Sequence, residues 1–106
     1  VSPAPPVSPA ATFEVGAGGG VAIKGVLNFD TVGALLGPVS EAIRGGKAAT
    51  VDLAGIAASD SAGLALLIEW LSVAKAAAHP LHYQHVPPQL QQLARLSEVE
   101  DLLLGA

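Results

Sequence analysis

Cysteine is absent from this 106-residue chain, aromatic side chains number four, and only five residues are basic. Without cysteine there is neither a disulfide nor a thiolate metal site, a composition compatible with the cytoplasm. The scarcity of aromatics, against 51% apolar residues dominated by Ala, Leu and Val, disfavours an all-β sandwich and points to helices packed on a small sheet. The basic residues Lys24, Arg44, Lys47, Lys75 and Arg95 are scattered, and nine acidic residues bring the net charge to −4. Nucleic acid is therefore not an expected partner, because phosphate neutralisation needs a basic stripe. Long apolar runs are also missing. The longest, Ala62 to Ile68, is far too short to span a bilayer, and no basic stretch followed by an apolar region opens the chain. A soluble, cytoplasmic α/β domain without membrane insertion is the expectation.

One core is feasible at this length and a second is not. Residues 1–11, VSPAPPVSPAA, carry too little apolar surface to pack and are expected to form a disordered tail before a domain over 12–106. A β-rich run at Thr12–Val15 and a second from Val21 to Leu27 flank Gly16-Ala17-Gly18-Gly19-Gly20, which predicts a hairpin. That loop joins strand to strand, whereas a phosphate-binding glycine loop must lead from a strand into a helix. Asp30 and Thr31 suit a helix start, followed by Val32, Leu35, Leu36, Val39 and Ile43 at helical spacing and a stop at Gly45-Gly46; Pro38 inside it predicts a kink or a late start. Ala49–Leu53 reads as an interior strand bounded by Gly55, Ser61 to about Ala78 as a helix ended by His79-Pro80, and Leu81–Val86 as a strand. Pro88 opens a short helix with Leu90, Leu93 and Ala94 on its apolar face. Ser97 is expected to cap a last helix with Glu98, Glu100 and Asp101 in its first turn and Val99, Leu102 and Leu103 buried. The order β-β-α-β-α-β-α-α predicts right-handed crossovers in a mixed sheet of about four strands packed with about four helices.

The chemistry concentrates in Val51–Leu67, VDLAGIAASDSAGLALL. A buried strand ends, a short loop crosses Gly55 to Ser59, and a helix opens at Asp60-Ser61. Asp60 or Ser59 can cap the free backbone donors, and Gly63 in the first turn removes a side chain that would crowd the Ser61 hydroxyl. A phosphate on Ser61 would sit at the positive end of the helix dipole and would not melt it. At 100° per residue the helix carries three stripes. Leu64, Leu67, Ile68, Leu71, Ala74 and Ala78 face the core. Ser61, Ala65, Glu69, Ser72 and Ala76 are small or polar and suit close approach by another protein. Leu66, Trp70, Val73 and Ala77 either pack on neighbouring helices or leave Trp70 partly exposed as an anchor.

The segment VDLAGIAASDSAG resembles the signature of STAS domains, in which Asp-Ser or Asp-Thr, a small residue and Gly open the helix that anti-sigma-factor antagonists use to engage their partner. The continuation GLALLIEWLSVAK, then a short strand and VPPQLQQLARLSEVEDLL, is similar to the MlaB-like STAS subunits of bacterial ABC transporters that move phospholipid and maintain outer-membrane lipid asymmetry. Pro38 and the glycine loop depart from that pattern. The resemblance implies a STAS-like, anti-sigma-factor-antagonist-like fold. It also implies contact with the transporter's ATPase subunit, within a complex with a membrane permease at the cytoplasmic face of the inner membrane. Asp60, Ser61, Ala62 and Gly63 carry over directly as partner-binding residues, with Ala65 and Glu69 added from the helical stripe. The residue matching Ser61 is the phosphorylatable one in the antagonists.

Competing chemistry is weaker. His79, His82 and His85 suggest a metal, but residues three apart on a strand point to opposite faces, so His82 and His85 do not converge. Asp52 and Asp60 lack a neighbouring nucleophile, and Ser61 lacks a local base or triad context. No catalytic residue, metal or cofactor is expected. The reading is a non-catalytic accessory subunit that binds and stabilises or activates the ATPase. The alternative is an anti-sigma-factor antagonist regulated at Ser61, and a hydrolase or nucleotide-binding domain using the glycine loop is a third.

Overall fold

The glycine-rich segment folds the chain back on itself. In the computed structural model, which describes residues 11–16 and 18–104, β1 (Ala11–Val15) and β2 (Gly20–Leu27) form an antiparallel hairpin. It is closed by the Gly16 N–H donating to Gly20 O at 2.8 Å. Gly18 and Gly19 take φ values of 140° and 85°, a backbone that side chains other than glycine's rarely tolerate. The segment expected to be a tail lies outside the described residues except for Ala11, which opens β1. After β2 come α1 (Val32–Arg44), β3 (Thr50–Ser59), α2 (Ser61–Ala76), β4 (His82–Gln84), α3 (Pro88–Leu96) and α4 (Glu100–Leu104). The four strands lie in the order β1-β2-β3-β4, with β2, β3 and β4 parallel. This is the mixed α/β fold expected.

Val21, Ile23, Leu27, Val51 and Leu53 point into a core completed by Leu35, Val39 and Ile43 of α1, Leu64, Leu67 and Trp70 of α2, and Leu90 of α3. On the other face of the sheet Thr12, Glu14, Lys24 and Gln84 are exposed, as expected for a sheet solvated on one side.

β3 corrects the sequence reading. It does not stop at Leu53 but continues through Gly55 to Ser59. The pairing with β2 slips twice: Ala22 and Lys24 face Asp52 and Gly55, and Gly25 and Val26 face Ile56 and Ala58. Each slip inserts one extra residue in β3, a β-bulge. Gly55 is thus a point of close approach and not a terminator, since a Cβ there would lie 2.7 Å from Lys24 Cγ and 3.0 Å from Ile23 O.

Helix α1 starts at Val32 and runs without interruption through Pro38, which lies on its exposed face, so the start is not delayed. Three helices end alike. Gly46, Ala78 and Glu98 adopt φ values of 73°, 58° and 61°, and the N–H groups of Lys47, His79 and Val99 reach back to the carbonyls of Ala42, Ala74 and Ala94 at 2.8, 3.0 and 2.8 Å. These are Schellman closures. Ser97 accordingly ends α3 instead of capping α4, and α4 begins at Glu100. In that single turn Leu103 faces the core, whereas Leu102, one residue round the helix, is exposed. Ala78 is also exposed, because α2 has ended before it. Among the described residues no helix is long and apolar enough to cross a membrane.

Candidate protein-docking site

The end of the sheet where β2 and β3 finish carries the Ser61 motif. Asp60 is extended, with φ −116° and ψ −165°, and caps α2 by accepting the Ala62 N–H on its carboxylate at 2.8 Å. Its own N–H donates to Leu27 O at 3.1 Å, tying the cap to the end of β2. Of the two expected capping residues Asp60 is therefore the one used. Ser59 is buried, donates its hydroxyl to Asp60 O at 3.2 Å, and gives its N–H to Gln89 Oε1 of α3 at 3.1 Å.

Ser61 stands exposed at the first helical position, and Ala65, Glu69, Ser72 and Ala76 continue the same exposed stripe along α2. Ala62 is half-buried beside it. Gly63 faces inward, and its role differs from the expected one. A Cβ at Gly63 would fall 2.0 Å from Ser59 Oγ and 2.9 Å from Leu27 Cβ, so the missing side chain makes room for the end of β3 and β2, not for the Ser61 hydroxyl.

Trp70 is not an exposed anchor. It is 0% accessible and directs its indole N–H toward Leu36 O of α1 at 3.5 Å, with Leu66 and Val73 buried on the same stripe. The exposed aromatic is Phe29, 88% accessible, which the sequence reading did not single out. Asn28 explains its position: its side-chain oxygen accepts the N–H groups of Asp30 and Thr31 at 2.9 and 3.1 Å, and the Thr31 hydroxyl donates to Val26 O at 2.7 Å. This tight turn holds Phe29 at its tip, and the Val32 N–H that opens α1 donates to the backbone carbonyl of Asn28 at 3.0 Å while the Thr31 side chain makes no cap bond. Phe29, Val32, Gly33 and Leu36 form one wall of an open apolar groove of about 480 Å³, and Ala62, Ala65, Leu66 and Glu69 of α2 form the other. Five of the residues proposed for partner contact from the sequence thus lie at one place: Ala62, Ala65 and Glu69 on its wall, and Asp60 and Ser61 exposed just before Ala62, while Gly63 is buried.

Asp52 belongs elsewhere. On the solvated sheet face it accepts the Ala54 N–H at 2.9 Å and pairs with His85 Nδ1 at 2.9 Å. The backbone bond first, and the His85 bond second, hold its carboxyl below the usual aspartate value. His82 is exposed on β4, and His79 lies beside Gly46. Tyr83, on the inner face of β4, donates its hydroxyl to Leu67 O at 2.6 Å, and burial raises its pKa well above the ordinary phenol value. What the arrangement offers chemically is an exposed hydroxyl at a helix N-terminus beside an apolar groove.

A protein-family model described as "Mlab, STAS domain" matches residues 11–105. No curated protein sequence gives a significant match. Among solved structures, the anti-sigma factor antagonist SpoIIAA in its unphosphorylated form is similar at 19% identity and a TM-score of 0.68, over 89% of this chain and 85% of that one. The Bacillus cell fate determinant SpoIIAA in the phosphorylated form is similar at 19% identity and a TM-score of 0.66, over 89% and 88%. These likenesses concern the fold.

Proposed function

The chain belongs to the STAS domain family in its MlaB form, and from that premise we propose that it is a non-catalytic accessory subunit of a phospholipid-transport ABC system serving outer-membrane lipid asymmetry. It binds the cytoplasmic ATPase and stabilises or activates it, held at the cytoplasmic face of the inner membrane through a complex that includes the permease. The observation that carries this reading is the exposed Ser61 at the start of α2, with Ala65 and Glu69 behind it on the wall of an apolar groove. An open apolar groove beside exposed small residues suits protein contact. Co-purification with the ABC ATPase of the same organism tests it: a stoichiometric complex is expected, and recovery of a serine kinase without the ATPase overturns it. Within that complex Ser61→Glu weakens binding while the fold stays intact, and equal affinity of both forms removes Ser61 from the contact.

A second reading has a specific support. The similar solved structures are of an anti-sigma factor antagonist in unphosphorylated and phosphorylated forms, and Ser61 is exposed at a helix N-terminus where a phosphate is tolerated. In that case Ser61 is phosphorylated by a kinase partner and thereby released from it. Phosphosite mapping from growing cells decides between the two, since Ser61 free of phosphate across growth conditions counts against the antagonist.

A further inference from the structure

The groove at Phe29 does not stop at Glu69. A second hollow of about 300 Å³, lined by Arg44, Glu69, Ser72, Val73, Ala76 and Ala77, continues it along the same two helices and shares Glu69 with it. Helices α1 and α2 each connect parallel neighbouring strands, so they run side by side in one direction and the two hollows form a single furrow. Its head is apolar, with Phe29 88% and Leu36 39% accessible.

Three properties define what fits there. Both walls are helical apart from the Phe29 turn, and their backbone groups are largely engaged within the helices. An extended segment laid in the furrow would find few partners for its own peptide groups, whereas a helix arrives with its backbone bonds already made. Glu69 is the single charged side chain lining the head, and it makes no ion pair among the described residues. At the far end Arg44 is held by Glu41 at 2.8 Å and does not reach it in a salt bridge. Asp30 and Asp60, exposed next to the lining residues Phe29 and Ala62, add negative charge at the rim.

Building on the docking role above, we propose that the furrow receives one amphipathic helix of the partner ATPase. Its apolar side chains seat among Phe29, Leu36 and Leu66, and a Lys or Arg lies against Glu69. Ala62 and Glu69 are seven residues apart on α2, about 10.5 Å along its axis, so the cation and the first apolar anchor lie about two helical turns apart on the partner helix. Other occupants fit less well. A second copy would bring the same Asp30, Asp60 and Glu69 against themselves, a repulsive pairing. Residues 1–10, VSPAPPVSPA, contain no Lys or Arg to meet Glu69.

The test uses the full chain co-expressed with the ATPase, carrying a photo-cross-linking residue at Leu36 or at Ala65, with Lys24 on the opposite sheet face as control. The expected product joins the furrow positions to an ATPase peptide with apolar residues at i, i+3 or i+4, and a Lys or Arg about two turns away. Glu69→Lys and Leu36→Asp each weaken the complex about tenfold or more, as loss of a central contact does, while Lys24→Glu leaves it unchanged; circular dichroism and Trp70 emission verify that each variant is folded. Cross-links to residues 1–10, to a second copy or to an acidic or extended ATPase segment overturn the proposal, as does unchanged affinity of Glu69→Lys. If the ATPase binds and only these furrow results fail, the docking role stands without the helix. If no ATPase binds, the role fails and the helix with it.

Discussion

Replacing Gly63 by alanine sets two local effects against each other. In an isolated helix the change favours the folded chain by up to about 1 kcal/mol, since glycine is the weaker helix former. Here the added methyl would sit 2.0 Å from Ser59 Oγ and 2.9 Å from Leu27 Cβ. Neither neighbour moves freely: Ser59 is buried and its hydroxyl is bonded to Asp60 O, and Leu27 is 0% accessible. Forcing one methyl into a packed site costs about 1–3 kcal/mol, and displacing the Ser59 hydroxyl forfeits a bond worth about 1 kcal/mol. The net expectation is a loss of about 2 kcal/mol. Urea unfolding followed by the single, buried Trp70 measures it; with a slope near 1 kcal/mol per molar, the midpoint falls by about 2 M. Adding Ser59→Ala to Gly63→Ala recovers part of the loss and yields a coupling that non-contacting sites would lack. A Gly63→Ala protein as stable as the parent, or more stable, would refute the close-packing argument and return Gly63 to the role of clearing space around Ser61.

Trp70→Ala removes the largest fully buried side chain and should cost about 3–5 kcal/mol, read from thermal denaturation by circular dichroism. Asp60→Ala deletes the cap on Ala62 N–H and should cost about 1 kcal/mol, with Asp60→Asn retaining most of it; a domain of this size would lose roughly 4–8 °C in Tm. Asp52 titrates below its ordinary 3.8 in the folded chain, so its contribution is present above that pH and disappears as the pH falls through the folded value. Urea midpoints of the parent and Asp52→Asn should therefore differ at neutral pH and converge as the pH falls below the folded Asp52 value, and a gap that persists in acid would contradict the assignment.

Hydrophobic period made most of the fold legible. The stripes of α2 were readable because a sixteen-residue helix samples each face several times, and the exposed run from Ser61 to Ala76 lies where the spacing places it. Two errors share one cause. Gly55 reads as a strand end and Ser97 as a helix start because each residue type commonly punctuates elements, yet the surroundings decide otherwise: Gly55 lies against β2, and Ser97 is taken up by the Schellman closure of α3. The groove was less visible than the motif. Its α2 wall follows from periodicity, but Phe29 stands at a turn fixed by Asn28, and an Asn-Phe-Asp-Thr sequence alone does not say that the ring projects into solvent. Trp70 illustrates the converse, since a preference for binding hot spots gave way to the need to fill the space between α1 and α2.

The two bulges of β3 also give it a reserve of length: Val51–Ser59 spans nine residues against seven in Val21–Leu27. Burial falls on Val51, Leu53, Ile56 and Ser59, so each extra residue flips the inward phase and the second flip restores it. Deleting one bulge residue would remove one slip and leave Ser59 opposite Leu27 and facing inward, whereas the same deletion in a regularly paired stretch would have to be absorbed by giving up a bulge elsewhere in the strand. Deleting two would leave seven residues against the seven of Val21–Leu27, a regular ladder with Asp60 still within reach of the Leu27 carbonyl; a third deletion would leave the strand one residue, about 3 Å, short and withdraw Asp60 from that anchor. The bulges thus act as slack: the strand tolerates the loss of up to two residues, and the docking end of the molecule keeps its geometry only while β3 is long enough to reach the end of β2.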